Sequence, residues 1–386
     1  MSRVADPALA GRVTPEEVEW WAVTLPVTTR YGEEVAARDL AGRTVACFQH
    51  VLADTIPMLL PLAQAGARLR IAACNPDSTD DAAAAYLTAN GAEVWAWSGM
   101  SEDEFQEGLN WVTSEPADAL SDMGGEAIAA TVARGHRPAA ALEATTTGLH
   151  RLATVDLPFP VLDWNGLPLK DRVHNRHHVG MEMWPVFSAI TGLAVHGRTV
   201  LVVGFGPVGR GVALRARALG AVVLVAEVDP VRAVEATQHG CLVVPLAEGV
   251  ERAGIVVTAT GRDGVLTPGH LAGVRDGAFV CNVGHSNREI DVPWLDGRPH
   301  TRVRPAIDRY RIDGRTVYLL NRGNLVNLTP DVLPPTAELF DPFAAVILRG
   351  LVWILDGGAD RLGPGLHPFP EHLEREIATA TLEARR

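Results

Sequence analysis

The segment from Gly204 to Gly209 has the glycine spacing of a turn that binds a pyrophosphate. It follows the apolar run TVLVV and opens a helical segment, so the phosphates would lie at a helix N-terminus. Glu227 ends the next apolar run, about 20 residues further on, where a carboxylate binds both ribose hydroxyls and repels a 2′-phosphate. We therefore expect NAD rather than NADP, with contacts from Gly204, Gly206, Pro207, Val208, Gly209 and Glu227.

Small and polar residues end two further apolar runs in the same half of the chain. Thr258, Thr260 and Gly261 belong to GIVVTATG, and Asn282 and Gly284 belong to GAFVCNVG. Ligands of open α/β sheets bind at the carboxyl ends of parallel strands. We therefore expect these residues to contact the ribose and carboxamide of the nicotinamide half of NAD.

Two series of short apolar strands alternating with helices are expected to position these residues. The first begins near Arg43 with TVACF, LRIAAC and AEVWAW, and the second begins at Arg198 with TVLVV, VVLVA, CLVVPL, GIVV and GAFVC. Such alternation predicts βαβ units and parallel sheets. The loop LTPDVLPPTAELFDPF, the apolar helix AAVILRGLVWIL, a second loop and an amphipathic helix then end the chain, and we expect them to fold back on the first series.

The sequence thus predicts an α/β fold in which a Rossmann-type NAD-binding domain interrupts another α/β domain. The inserted domain is expected to cover residues 182–341, and the discontinuous domain residues 1–181 plus 342–386. A length of 386 residues agrees with two domains, because one hydrophobic core seldom serves a chain of this size.

Composition excludes several classes of protein. With 34 basic and 46 acidic residues the net charge is −12, which disfavours nucleic acid and anionic membranes as partners. The four cysteines lie far apart without metal-finger spacing, so we expect reduced thiols in the cytoplasm. His174 and His178 lie one helical turn apart, but no third ligand is spaced to complete a metal site, and no metal is expected.

A further set of motifs occurs in an order that carries a resemblance. The motifs are CNPDSTDDAAAA from Cys74, DMGGE from Asp122, LEATTTG from Leu142, NGLPLKDRVHN from Asn165, GFGPVGRG, AEVDP, CNVGHSNREIDVPWL from Cys281 and NLVNL from Asn324. Together they resemble the S-adenosylhomocysteine hydrolases (adenosylhomocysteinases) over nearly the whole chain. The resemblance implies a substrate-binding domain for residues 1–181 plus 342–386, and NAD that is tightly held and recycled in every turnover.

The chemistry implied by this resemblance explains an NAD site in a reaction without net oxidation. Oxidation of the nucleoside 3′-hydroxyl to a ketone acidifies the C4′ proton, so a base can remove it and expel the 5′ substituent. In the hydrolase, water then adds across the 4′,5′ double bond and the ketone is reduced again. By resemblance the catalytic residues are Lys170, His50, His285, His174 and Asp122, the substrate-binding residues are Asp54, Glu143 and Asn175, and the further NAD contacts are Thr145, Thr146, Thr147 and Asn327.

The substrate side departs from the family pattern, whereas the NAD side retains it. Met123 replaces a carboxylate before the double glycine, where Asp122 is a partial substitute, and Ala144 replaces a glutamate that touches the ribose. A Gly-His-Pro-Ser stretch that clamps the substrate is replaced by DVLPPTAEL. The remaining changes are Leu52 for a threonine, Asp54 for a longer glutamate, and His174 for the aspartate that partners the lysine.

These departures predict a paralogue that acts on a different nucleoside. Ala144 is expected to leave room for a bulkier or branched sugar, and the lost groups favour net elimination. We predict an NAD-dependent lyase, a nucleoside 5′-dehydratase of specialised metabolism such as antibiotic biosynthesis, that releases water and a 4′,5′-unsaturated nucleoside. Two alternatives stay open: an S-adenosylhomocysteine hydrolase yielding adenosine and homocysteine, and a non-catalytic NAD-binding regulatory protein.

The resemblance also implies a homo-oligomer. The sequence stops at ATLEARR, whereas family members continue into a tail whose Lys and Tyr reach the NAD of a neighbouring protomer. We expect a homodimer or homotetramer in which NAD exchanges more readily, with a small nucleoside as the other partner.

Overall fold

The computed structural model describes residues 2–284, 287–329 and 336–386. The chain forms two compact units: unit 1 contains Met1–Lys170 and Ala337–Arg386, and unit 2 contains Asp171–Thr336. The sequence predicted divisions after residues 181 and 341, slightly further along the chain. Within the described ranges, no helix has both the length and the apolar character needed to cross a bilayer.

The helices and strands follow in chain order. Up to residue 168 they are β1 (Arg3–Val4), α1 (Pro15–Thr24), α2 (Pro26–Ala36), β2 (Thr44–Gln49), α3 (Ile56–Gln64), β3 (Arg68–Ala73), α4 (Asp81–Ala89), β4 (Glu93–Ala96), α5 (Glu102–Val112), β5 (Ala119–Asp122), α6 (Glu126–Ala133), β6 (Ala140–Glu143), α7 (Thr146–Leu152) and β7 (Pro160–Asp163). A π-helix, Leu169–Met181, comes next.

The second half continues this numbering. The elements are α8 (Glu182–Thr191), β8 (Thr199–Val203), α9 (Pro207–Ala218), β9 (Val222–Ala226), α10 (Pro230–Gln238), β10 (Leu242–Val243), α11 (Leu246–Arg252), β11 (Ile255–Thr258), α12 (Pro268–Gly273), β12 (Ala278–Asn282), α13 (Val292–Asp296), β13 (His300–Arg304), β14 (Ile307–Ile312), β15 (Arg315–Leu320), α14 (Ala337–Leu355), β16 (Gly365–Pro368) and α15 (Glu371–Ala384).

Unit 1 contains a parallel sheet whose described strands lie in the order β1-β4-β3-β2-β5-β6-β7-β16. Its central strands are buried on both faces, which explains their continuous apolar runs. The order reverses direction at β2 and β5, so the carboxyl ends of these strands meet at a switch point where α/β proteins bind ligands.

Helix α14 ties the C-terminal segment to unit 1. It is buried along most of its length and packs against α2. The Asp341 carboxylate accepts hydrogen bonds from the backbone N–H groups of Val27 and Thr28, at 3.0 and 2.8 Å. Because Leu25 cannot cap the start of α2 with its own side chain, Asp341 supplies the acceptor that this helix end requires.

Unit 2 contains a second sheet with the described order β10-β9-β8-β11-β12-β15-β14-β13. The first six strands in this order, from β10 to β15, are parallel to one another. Strands β14 and β13 follow β15 at the edge of the sheet, and each pairs with the preceding strand in antiparallel orientation. The parallel part is the predicted Rossmann-type arrangement, so the α/β prediction is confirmed.

Three local predictions were wrong. Strands β13, β14 and β15 were not predicted, and β16 forms in a stretch expected to be a loop. Helix α14 begins at Ala337 rather than near residue 344, so Pro342 lies inside the helix, where its nitrogen donates no hydrogen bond. Residues 330–335 of the same predicted loop lie outside the described residues.

Candidate active site

Five predicted site residues lie in unit 1 and follow or end strands of its sheet. Asp122 and Glu143 are paired neighbours at the ends of β5 and β6, and His50 directly follows β2. Asp54 lies in the short turn after His50, and Lys170 follows β7. Electrostatic interactions link His50 to Lys170, Lys170 to Glu143, and Glu143 to Asp122. The structure therefore brings most of the predicted catalytic residues of this unit to one edge.

Lys170 is the only lysine in the 386 residues, and it is buried. Its Nζ lies 4.3 Å from the centroid of the Phe343 ring. Burial lowers the pKa of Lys170 from 10.5 to about 7, an effect that the nearby Glu143 charge opposes. An amine with such a pKa exists in both protonation states at neutral pH, so it can accept and return a proton.

His50 and Asp54 lie close together in sequence, and their pKa values are shifted in opposite directions. Burial, followed by the Lys170 charge, lowers the pKa of His50 to about 4, and its Nδ1 lies 2.7 Å from Ser78 Oγ. Burial, together with the Asp80 charge, raises the pKa of Asp54 to about 7. Among the described residues no donor reaches Asp54 Oδ1, which leaves a buried acceptor for a ligand.

Glu143 and Asp122 hold the loops at this edge. Glu143 Oε1 accepts hydrogen bonds from Thr145 N, Thr145 Oγ1 and Gly124 N, at 2.7, 2.7 and 3.3 Å. Asp122 Oδ2 accepts one from Ile128 N at 2.8 Å, near the start of α6. Burial is the main cause that raises the pKa values of both carboxyl groups. In addition, a negative charge on either group disfavours a negative charge on the other.

The two neutral replacements on the substrate side are buried. Met123 and Ala144 directly follow Asp122 and Glu143, with exposed fractions of 5% and 0%. The space expected beside Ala144 is therefore closed to solvent among the described residues. Both positions therefore carry neutral, buried side chains where the resemblance implies carboxylates.

The glycine turn of unit 2 fits a dinucleotide. Gly204 has a φ of +94°, which side chains disfavour, and a Cβ on Gly209 would lie 2.0 Å from Gly204 O. Gly206 immediately precedes α9, so backbone N–H groups of that helix end face the turn. Glu227 follows β9 and accepts hydrogen bonds from Phe205 N, at 2.6 Å, and Val228 N, at 2.7 Å. Its carboxylate therefore lies beside the turn, as ribose recognition requires.

Thr258 and Asn282 end neighbouring strands of unit 2 and are hydrogen-bonded. Thr258 Oγ1 donates to Asn282 Oδ1 at 3.0 Å, and Gly284 N donates to the same oxygen at 2.7 Å. Asn327 is 2% exposed, and its Oδ1 contacts no donor within the described residues. An orphaned buried amide oxygen and the glycine turn together fit NAD.

Glu289 is a buried residue of the candidate NAD site that sequence reasoning missed. Its buried carboxylate accepts hydrogen bonds from Thr260 N, Thr260 Oγ1 and Gly261 N, at 3.0, 2.8 and 2.7 Å. It holds the loop after β11, where the sequence predicted NAD contacts. The sequence signal that could have identified Glu289 is an acidic residue inside the motif CNVGHSNREIDVPWL. The predicted catalytic residue His285, from the same motif, lies outside the described residues.

The remaining predicted residues lie in local hydrogen-bonded structure. Thr145 Oγ1 accepts a hydrogen bond from Gly148 N at 2.8 Å and so caps α7, while Thr146 Oγ1 accepts one from Asn165 Nδ2. These threonines, with Thr147, belong to unit 1, and their contact with NAD stays a prediction. His174 and Asn175 are buried in the π-helix, and the His174 and His178 rings lie 4.9 Å apart. Long π-helices are rare and often mark functional sites.

Two family models match the sequence. The S-adenosyl-L-homocysteine hydrolase model matches residues 24–155, and the NAD binding domain model of the same hydrolase matches residues 186–332. These matches and the geometry define an α/β protein with an NAD-binding domain.

Curated relatives extend this similarity along the chain. An S-inosyl-L-homocysteine hydrolase of Methanopyrus kandleri is 34% identical over 99% of this chain and 92% of its own length. An adenosylhomocysteinase of Aeropyrum pernix is 36% identical over 99% of this chain and 94% of its own length. A transhydrogenase of Sinorhizobium meliloti is a structural neighbour, with 13% identity, 85% and 98% coverage and a TM-score of 0.40. The chain belongs to the S-adenosyl-L-homocysteine hydrolase family.

Proposed function

We propose that this protein eliminates the 5′ substituent of a nucleoside through transient oxidation at the 3′ carbon. Membership of an NAD-dependent family supports the redox part of this proposal. The observation that carries it is the electrostatic interaction in unit 1 between two candidate bases, the buried Lys170 and the half-buried His50. The glycine turn from Gly204 to Gly209 and the Glu227 carboxylate would hold NAD, which would supply reversible hydride transfer at the 3′ carbon.

The two bases then have separate tasks in proton transfer. Lys170, with a pKa of about 7, removes the 3′-hydroxyl proton as the ketone forms and returns it on reduction. The ketone acidifies C4′–H, and His50, neutral because its pKa is about 4, takes that proton. The C4′ electron pair forms the 4′,5′ double bond as the bond to the 5′ oxygen breaks. His50 then donates its proton to the departing oxygen, so the products are water and an unsaturated nucleoside.

The substituted residues support a substrate other than that of the hydrolases. By resemblance, Ala144 stands where the family has a glutamate that touches the ribose, and Met123 stands where it has a carboxylate before the double glycine, so the sugar contacts are expected to differ. A second candidate is hydrolysis of an S-nucleosyl homocysteine. The relatives favour this second candidate, because they are named as hydrolases of S-inosyl- and S-adenosylhomocysteine.

One experiment separates the candidates. The purified protein with NAD is incubated with adenosine, inosine and sugar-branched 5′-hydroxy nucleosides, and separately with S-adenosyl- and S-inosylhomocysteine. Mass spectrometry that finds a nucleoside lighter by one water supports the dehydratase, and free homocysteine detected by a thiol reagent supports the hydrolase. Neither product, despite bound NAD, would refute both and favour a regulatory NAD-binding protein. A Gly209→Ala variant, with a disrupted NAD turn, is the negative control.

A further inference from the structure

The C-terminal segment of unit 1 holds Lys170 from two sides. The backbone N–H of Leu169, directly before it, donates a hydrogen bond to Glu374 Oε1 at 2.8 Å. The Phe343 ring of α14 lies under the side chain, with Nζ 4.3 Å from the ring centroid. Glu374 lies 205 residues beyond Leu169 in the chain, so packing rather than sequence proximity brings this segment to the lysine.

The Phe343 ring is itself held in place by other aromatic side chains. Trp164 packs on it with ring centroids 4.6 Å apart, and Phe340 packs on it at 5.2 Å. All three rings are buried, with exposed fractions of 8% or less. Such a ring cannot turn away from the ammonium group without disturbing its neighbours, so its orientation toward Lys170 is fixed by the core.

The face of an aromatic ring attracts a cation. The attraction is strongest where water is excluded, and a contact within about 6 Å of the centroid is close enough for it. Among the described residues, the charged or titratable groups that interact with Lys170 include Glu143, which ends β6, and His50, which follows β2. The Glu143 carboxylate already accepts hydrogen bonds from the loops that contain Thr145 and Gly124. The Phe343 ring is a second, separate group that stabilises the ammonium form of Lys170.

We propose that Phe343 is a positioning residue, whose ring face holds the Lys170 amine at the sheet edge and stabilises its protonated form. This role rests on the proposed function, in which Lys170 exchanges a proton with the 3′-hydroxyl. This role of Phe343 gives the C-terminal segment a part in catalysis. Neither the glycine turn nor the residues at the strand ends indicate such a part.

The single lysine makes the test direct. Protein grown with lysine labelled with ¹³C at Cε gives one lysine signal, and its chemical shift followed against pH reports the pKa of Lys170 without substrate or turnover. Phe343→Met keeps most of the apolar volume but removes the ring face. We expect it to lower the titration midpoint by roughly 0.5–1.5 pH units, from the usual strength of a cation–π contact. Phe343→Tyr, which keeps the ring, is expected to restore the wild-type midpoint.

Phe159→Met is the matched control, since it removes a buried ring of the same unit, just before β7, that is not one of the rings described above as packing on Phe343. We expect its midpoint to remain at the wild-type value. A midpoint for Phe343→Met that equals the wild-type value, or that lies above it, would overturn the proposal. Because the titration needs no nucleoside, this result is independent of whether the substrate assays find elimination, hydrolysis or no reaction.

Discussion

Replacing Lys170 with Met is expected to stabilise the protein at acidic pH while it removes activity. Burial lowers the pKa of Lys170 from 10.5 to about 7. At about 1.36 kcal/mol for each pH unit, this interval corresponds to about 5 kcal/mol, the cost of keeping the buried amine charged below pH 7. We therefore expect Lys170→Met to raise the free energy of unfolding by several kcal/mol at pH 6, with about 5 kcal/mol as the upper bound.

The pH dependence of this gain has a definite sign. Between pH 7 and 10.5 the unfolded chain holds a proton on Lys170 that the folded protein lacks, so this group makes the wild type more stable as pH rises. The destabilisation caused by charging the buried amine is complete below about pH 7 and is relieved as the pH rises from 7 to 10.5. The advantage of Lys170→Met is therefore greatest below pH 7 and vanishes near pH 10.5.

Urea unfolding of both proteins at several pH values between 6 and 10 measures the difference. The other titrating groups are common to both proteins and cancel, apart from His50 and Glu143, which interact with the Lys170 charge. Arg172→Met is the matched control, because Arg172 is an exposed cation two residues further along the same helix, and we expect its effect to be independent of pH. The reasoning is refuted if Lys170→Met is less stable than the wild type at pH 6, or if the difference does not change with pH.

Two further predictions concern unit 2. In Gly209→Ala the new Cβ would lie 2.0 Å from Gly204 O, so the turn must shift, and we expect NAD affinity measured by calorimetry to fall at least about tenfold. Gly269→Ala, whose Cβ meets nothing closer than 3.8 Å, is the control, and equal NAD binding by both variants would contradict the prediction. Glu289→Gln turns one acceptor into a donor facing Thr260 and Gly261, so we expect about 1–3 kcal/mol of lost stability in urea unfolding and weaker NAD binding. Unchanged values for both measurements would show that the carboxylate does not hold this loop.

The parallel parts of both sheets were predictable because their strands are continuous apolar runs bounded by glycine and polar residues. The antiparallel strands β14 and β15 were missed, although Asp313-Gly314 between them is a typical two-residue hairpin turn. Both residues have positive φ, at 47° and 84°, as that turn requires. β16 could not be predicted, since its four residues pair with β7, about 200 residues earlier, and carry no alternation.

The site was predictable where chemistry is encoded in local spacing, and not where it depends on packing. Gly204, Gly209 and Glu227 follow from spacing alone, and the structure places them around one turn. The pKa of Lys170 and its contact with Phe343 arise from burial by α14, which no local pattern reports. The roles assigned by resemblance to His50, Asp54 and Asn175 stay predictions.

The two units use the same device to shape a loop at a strand end. Glu143 in unit 1 and Glu289 in unit 2 are buried carboxylates that each accept hydrogen bonds from a threonine N–H, from the hydroxyl of the same threonine and from a glycine N–H. Each also occupies the space where a glycine lacks a side chain, since a Cβ on Gly148 or Gly284 would come within 2.3 or 1.6 Å of the carboxylate oxygen. A loop of this kind keeps one conformation when its N–H and O–H donors have acceptors and when the residue packed against the carboxylate is small. Gly284 was predicted as an NAD contact, but its packing against Glu289 explains without any ligand why this position is a glycine. A larger residue at position 284 would therefore displace Glu289 first. It would affect NAD binding through the loop that Glu289 holds.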